Sequence, residues 1–140
     1  MLVQPYLFFD GKCEEALNYY KSKLGAKVDM MMRFKESPEP ASMQGLPANA
    51  GDKIMHSSFH IGDTMLMASD GMCGGKPNFQ GLSLSIAVDD DATAERLFNA
   101  LKADGQAQMP MSETFFASRF GMVSDKFGVQ WMIIAEKKMA

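Results

Sequence analysis

The apolar positions of this chain change period in an orderly way, and those changes predict its elements. Residues 3–9 form a short run rich in strand formers, closed by Asp10-Gly11. Ala16, Leu17, Tyr20 and Leu24 then recur at helical spacing and give one apolar stripe. Asp10 is placed to cap this helix, Glu14 and Glu15 stand in its first turn where the helix dipole favours acids, and Gly25 supplies the stop. Residues 27–34 read as a second strand and 54–61 as a third. Gly62-Asp63 then turns the chain into a hairpin partner over 64–68. Residues 35–53 hold Pro38, Pro40, Pro47, Gly45 and Gly51 and few large apolar side chains. That is a long loop, and loops of this length in small domains are functional lids or disordered segments.

After a Gly- and Pro-bearing linker at about 70–80 the plan repeats. Residues 82–88 read as a strand, Asp89-Asp90-Asp91 open a helix, and Ala94, Leu97, Phe98 and Leu101 form its apolar stripe up to Asp104-Gly105. Strands at 107–111, 115–123 and 129–135 follow, the last two joined by the turn Asp125-Lys126-Phe127-Gly128. Ala16 aligns with Ala94, Tyr19 with Leu97 and Tyr20 with Phe98. The order strand, helix, three strands thus occurs twice with a period of roughly 75–80 residues, which points to duplication rather than a solenoid. The predicted fold class is α+β: a single domain over residues 1–140, with one βαβββ module at about 1–70 and another at about 81–140. Each helix can cover one face of its sheet. The helices are therefore expected on the outer faces, and the curved mixed sheets around a shared small-molecule cavity.

Composition narrows the partner classes. Hydrophobic residues make up 46% of the 140 and charged residues 22%, enough to bury a core. The net charge is −3 and Lys and Arg are scattered rather than striped, which argues against a nucleic-acid partner. No apolar run of about 18 residues occurs, and the first residues lack the basic-then-apolar order of a signal peptide. No membrane association and a cytoplasmic location are the expectation. Cys13 and Cys73 make neither a disulfide framework nor a zinc motif and read as two reduced thiols. Methionine stands out, with 14 residues. Thioethers are flexible and polarizable, so most of these read as core and some as pocket lining.

The doubled plan comes with particular residues. The first half carries Pro5-Tyr6-Leu7, Asp10-Gly11, Cys13-Glu14-Glu15-Ala16-Leu17, Tyr19-Tyr20-Lys21, Leu24-Gly25-Ala26 and Ser69-Asp70. The second carries Glu113-Thr114-Phe115-Phe116, Arg119-Phe120-Gly121, and Asp125-Lys126-Phe127-Gly128 to Trp131-Met132-Ile133. With these the chain resembles the vicinal-oxygen-chelate superfamily of glyoxalase I, extradiol dioxygenases and the bleomycin- and fosfomycin-resistance proteins, and within it the PhnB-like branch. The resemblance spans nearly the whole chain and is most specific in its C-terminal stretch. It implies a homodimer, and it implies four side chains (His, Glu or Gln) on the first and last strands of each module holding one divalent metal as a Lewis acid. Those positions fall on Gln4, Leu66 or Met67, Ser83 and Met132. Hard divalent cations take charged oxygen or imidazole ligands, so the expectation is no metal and no other cofactor.

The resemblance also places a ligand cavity. With period-two alternation Gln4, Tyr6, Ser83, Ser85, Gln130 and Met132 point inward, joined by Met65 or Met67. The alternative is that these side chains meet and fill a closed core. His56 and His60 lie four apart on one strand and share a face, but the strand rise separates them by about 13 Å, too far to hold one metal. His56 matches a PhnB-branch position, and imidazole is the natural acid–base group near neutral pH, so His56 is the candidate for catalysis; the alternative is a surface or hydrogen-bonded histidine. Arg119 with Glu113 is a candidate anion anchor, because a planar guanidinium suits a carboxylate or phosphate. Otherwise Arg119 pairs with Glu113 or Asp125 and fixes the hairpin. The stretch Gly71 to Lys76 lacks the spacing of a P-loop, and no strand–GxGxxG–helix unit is present for a nucleotide or S-adenosylmethionine.

Three functional readings remain open at this level. The first is a small-molecule-binding protein of glyoxalase or bleomycin-resistance type without the divalent-metal centre. The second is a metal-dependent lyase, isomerase or dioxygenase with unusual ligands such as Gln4, His56 and Glu113. The third is a non-catalytic structural dimer with a filled core.

Overall fold

The computed structural model describes residues 1–38, 45–71, 73 and 76–137. Its backbone divides into two units, Met1–Pro77 and Asn78–Ala140, with the boundary inside the stretch read as a linker. The first unit runs β1 (Tyr6–Phe8), α1 (Cys13–Leu24), β2 (Lys27–Arg33), β3 (Ile54–Ile61) and β4 (Thr64–Ser69). The second runs β5 (Leu84–Val88), α2 (Asp91–Ala103), β6 (Gln106–Ser112), β7 (Ala117–Ser124) and β8 (Gln130–Glu136). The sheets are ordered β1-β4-β3-β2 and β5-β8-β7-β6. In each, the first strand lies parallel to the last and the other neighbours are antiparallel. The α+β fold of two βαβββ modules read from the sequence is the fold observed.

Element ends differ from the expectation in places. β1 starts at Tyr6 rather than residue 3, because Pro5 has no N–H to give the ladder; its carbonyl alone accepts from Met67 N at 3.0 Å. β5 likewise starts at Leu84, which leaves Ser83 just outside the strand. Among its described residues the long loop holds two single turns of 3₁₀ helix, Phe34–Glu36 and Ala50–Asp52. Its residues 39–44 lie outside the described part.

Helix α1 buries Cys13, Ala16, Leu17 and Tyr20, the i, i+3, i+4, i+7 stripe. The Tyr20 ring stacks on Phe59 at 6.2 Å and 9°, and Leu7, Phe9, Leu66 and Ala68 complete this core. Burying one such ring is worth about 1.5–3 kcal/mol. Gly25 ends the helix at φ 68, where a side chain would be strained, and Ala26 N–H closes back on Tyr20 O at 3.1 Å.

The start of α1 corrects the sequence reading. Asp10 does not cap it: Lys12 occupies the N-cap without a side-chain bond, and Asp10 itself sits at φ 49. The cap comes from the end of β4. Asp70 Oδ1 accepts Gly11 N at 2.7 Å and Cys13 N at 2.8 Å, from 57 residues beyond the latter. Helix α2 follows the rule locally, with Asp90 accepting from Thr93 N. Its buried Ala94, Leu97, Phe98 and Leu101 pack on sheet two. Gly121 on β7 permits the close approach, since a Cβ there would lie 2.9 Å from the Phe98 ring.

Candidate functional site

Burial alternates along the strands of the first sheet. Leu7, Ser57, Phe59, Leu66 and Ala68 are buried on the α1 side. Their neighbours Tyr6, His56, Ser58, Met65 and Met67 are only half-buried, and Phe8 is 53% exposed, so the opposite face is open. Strand register sets Met30, Ser58, Met67 and Tyr6 in one cross-strand row on that face. Met32 stands opposite His56. Tyr6 connects the rows: its hydroxyl hydrogen-bonds His56 Nδ1 at 3.0 Å, its ring stacks on the imidazole at 5.6 Å, and Phe8 lies 5.0 Å away. The result is a Met- and aromatic-lined shelf that carries the Tyr6–His56 pair and the Ser58 hydroxyl. Of the residues singled out from the sequence, Tyr6, Met67 and His56 share it, and half-buried Gln4 lies two positions before Tyr6. His60, on the same face as His56, pairs with Asp29.

The second sheet repeats the arrangement. Trp131, Ile133, Ala135 and Val123 are buried towards α2, while Ser85 and Met132 are register partners on the other face. The row reads Met109, Met122, Met132, Ser85, and the adjacent row reads Gln106, Ser124, Gln130.

Arg119 lies on the helix-covered side, opposite buried Ala135. Its Nε donates to Glu95 Oε1 at 3.1 Å and its Nη1 lies 3.7 Å from Asp91 Oδ2. The pairing expected with Glu113 or Asp125 is replaced by these two α2 carboxylates, because β7 presents Arg119 to the acidic first turns of that helix. Glu113 instead meets Lys137 at 3.4 Å, at an exposed position. Asp125 is buried and closes the β7–β8 turn: Oδ1 accepts Phe127 N and Val129 N, and Oδ2 accepts Trp131 Nε1 at 2.8 Å.

The divalent-metal positions of the superfamily can be tested on their donor chemistry. Leu66 is buried on the helix side, so Met67 is the open-face residue of that pair. The set is an amide, a hydroxyl and two thioethers, which does not fit a hard divalent ion. Among the described residues no group of three His, Cys, Asp or Glu could hold a metal.

Sequence reasoning missed a polar cleft of about 490 Å³ at the start of α1, lined by residues including Gly11, Glu14, Arg33, Lys53 and Asp70. Arg33 grips Glu14 through two bonds of 3.0 and 2.7 Å, which holds the Glu14 carboxyl below the usual carboxylate range. Lys53 Nζ donates to Gly11 O, so both cations of the cleft are engaged. Asp70 forms the cleft's inner wall. Besides the α1 bonds it accepts Ile54 N at 2.8 Å, and it is 1% exposed. Its sequence signals were its place directly after an apolar strand and its part in the Ser69-Asp70 pair of the resemblance, and neither shows its contacts with Gly11 and Cys13.

Cys13 lies beneath this cleft, next to Ser57 Oγ at 3.8 Å. Burial, with the Asp70 carboxylate beside it, pushes its thiol from 9.0 up to about 12. An alkylating agent at pH 8 is expected to modify Cys73 in the folded protein and spare Cys13 until denaturant is added; labelling of Cys13 at the rate of a free thiol would contradict this. Between 9.0 and about 12 the unfolded chain releases the proton while the folded one keeps it, so stability falls as pH rises through that window.

A family model described as 3-demethylubiquinone-9 3-methyltransferase matches residues 2–134. Protein YjdN of Escherichia coli K12 is 36% identical, over 99% of this chain and 97% of its own length. The crystal structure of protein PA1353 from Pseudomonas aeruginosa is 43% identical with a TM-score of 0.84, covering 99% of both chains. The Bacillus cereus PhnB protein, a putative 3-demethylubiquinone-9 3-methyltransferase, is 24% identical with a TM-score of 0.76 over 96% of this chain and 98% of its own, which shows the shared fold. Doubled topology, register and these similarities agree: the chain belongs to the 3-demethylubiquinone-9 3-methyltransferase family.

Proposed function

We propose that this chain binds a small, largely apolar molecule with a hydrogen-bonding group on the open face of its first sheet, without the superfamily's usual divalent-metal centre. The observation that carries the reading is the Tyr6–His56 pair set among Phe8, Met30, Met32 and Met67. Aromatic and thioether side chains supply adaptable apolar contact, and a few placed polar groups fix orientation, which is the ordinary make-up of a small-molecule site. In either tautomer, His56 with the Tyr6 hydroxyl offers one donor and one acceptor to a ligand. A face this apolar and this exposed calls for an occupant.

An anilinonaphthalene sulfonate titration tests the reading. Native protein is expected to bind the dye saturably, and chelator treatment to leave that binding unchanged. Met67→Glu places a charge in the middle of the row and is expected to weaken binding by about tenfold or more, equivalent to ~1.4 kcal/mol. Met67 is half-buried, so the variant keeps the fold, which circular dichroism checks. Unchanged affinity in Met67→Glu, or loss of binding on chelation, would contradict the reading.

A further inference from the structure

We propose that the open face of the second sheet carries a site for a soft monovalent cation, Cu(I) or Ag(I), formed by the thioethers of Met109, Met122 and Met132. The three residues occupy adjacent strands in direct register, Met109 opposite Met122 and Met122 opposite Met132. Register partners share a face, and neighbouring strands lie about 4.8 Å apart, so the outer two backbones are roughly 10 Å from each other. Each outer side chain, unbranched and with three rotatable bonds, needs to lean only a few Å inward for three sulfurs to meet over the middle strand.

The donor chemistry selects the ion. Thioethers are soft ligands that favour Cu(I) and leave hard divalent cations to oxygen donors, so this site shares the Met132 position with the superfamily's metal centre but differs from it in its other ligands and in the ion it takes. The surroundings suit a cation. Arg119 is the one basic residue in the sequences of the four strands, and it is held on the opposite side by Glu95 and Asp91. Phe120 lies two residues before Met122 on the same face, opposite Ile134, and offers a ring to a neighbouring cation. Access is provided at Met109, which is 43% exposed.

The duplication supplies an internal control. In the first sheet the equivalent row is Met30, Ser58, Met67. A hydroxyl stands where Met122 stands, and the thioether trio is broken. The site is therefore assigned to the second sheet alone, and it does not depend on small-molecule binding at the first.

The test is an anaerobic titration of the full chain with Ag(I), and with Cu(I) against a colorimetric Cu(I) chelator, followed by methionine methyl resonances. With the accessible thiol of Cys73 alkylated beforehand, since a thiolate captures these ions ahead of thioethers, one ion per chain is expected, with shifts at Met109, Met122 and Met132. Met122→Leu and Met132→Leu nearly conserve volume. Each is expected to weaken binding by about tenfold or more, the scale on which altered metal sites lose affinity. Met109→Leu, at an exposed position, serves as the variant least able to disturb the fold. Met30→Leu and Met67→Leu are expected to leave the titration unchanged. Absence of a bound ion, or wild-type binding in the Met109, Met122 and Met132 variants, would overturn the proposal.

Discussion

Replacing Asp70 by alanine is expected to cost the protein about 4 kcal/mol or more, read from chemical denaturation. The carboxylate accepts three backbone N–H groups, those of Gly11, Cys13 and Ile54, and is 1% exposed. An unsatisfied buried donor costs about 1–3 kcal/mol, and alanine strands all three at once. Domains of this kind have about 5–15 kcal/mol in total, so the variant is brought close to unfolding at room temperature. Asp70→Asn keeps the shape and one oxygen but turns an amide NH₂ towards an N–H, and an intermediate loss is expected. A loss under about 1 kcal/mol in Asp70→Ala would show that water replaces the carboxylate and that Asp70 does not hold the start of α1.

Gly105→Ala is expected to be comparably damaging for a different reason. A Cβ on Gly105 would lie 2.0 Å from Ser124 O, 2.8 Å from Leu101 O and 2.9 Å from Asp125 Cα. All three are backbone atoms, so no rotamer change relieves the clash, and the end of α2 has to move away from β7. Overpacking of a tight site costs about 1–3 kcal/mol when side chains can yield, and here they cannot, so the loss is expected at or above the top of that range. Gly128→Ala is the control. At φ 89 with nothing within 4 Å it meets only backbone strain, about 1–2 kcal/mol. Equal melting temperatures for wild type and Gly105→Ala would show that the backbone yields there without cost.

These two positions also mark where sequence reading stops. Strand and helix periods, the Gly25 stop and the doubled order were legible because each depends on neighbours a few residues apart. Asp70 was not, since its partners Gly11 and Cys13 lie more than fifty positions upstream. The nearer acid, Asp10, took the capping role in the sequence reading because proximity is the only guide a sequence offers. Arg119 was assigned to Glu113 or Asp125 for the same reason, whereas tertiary packing gives it to Glu95 and Asp91.

The candidate site shows the same division. Alternation pointed Gln4, Tyr6, Ser83, Ser85, Gln130 and Met132, with Met65 or Met67, inward as one set, whereas the register puts Tyr6 and Met67 in the first sheet and Ser85, Gln130 and Met132 in the second. Alternation could not show the Tyr6–His56 bond, which joins β1 to β3 across fifty residues. Nor could it show the methionine rows, because register between strands is set by turns and bulges rather than by any single strand. The bulges flanking Met109 bring it opposite Met122, and counting residues from the nearest turn does not reveal that.

The open face of the first sheet is proposed to receive a small molecule. Methyl-labelled methionine provides the direct test, because the labels sit on both sides of the same sheet. In a screen of small aromatic and aliphatic compounds, a binder is expected to shift Met30, Met32 and Met67. Met31, whose register partner Ser57 is buried on the α1 side, is expected to stay in place. Binders that shift Met31 while leaving Met30, Met32 and Met67 untouched, or a screen in which the open-face methionines respond to no compound, would contradict the account.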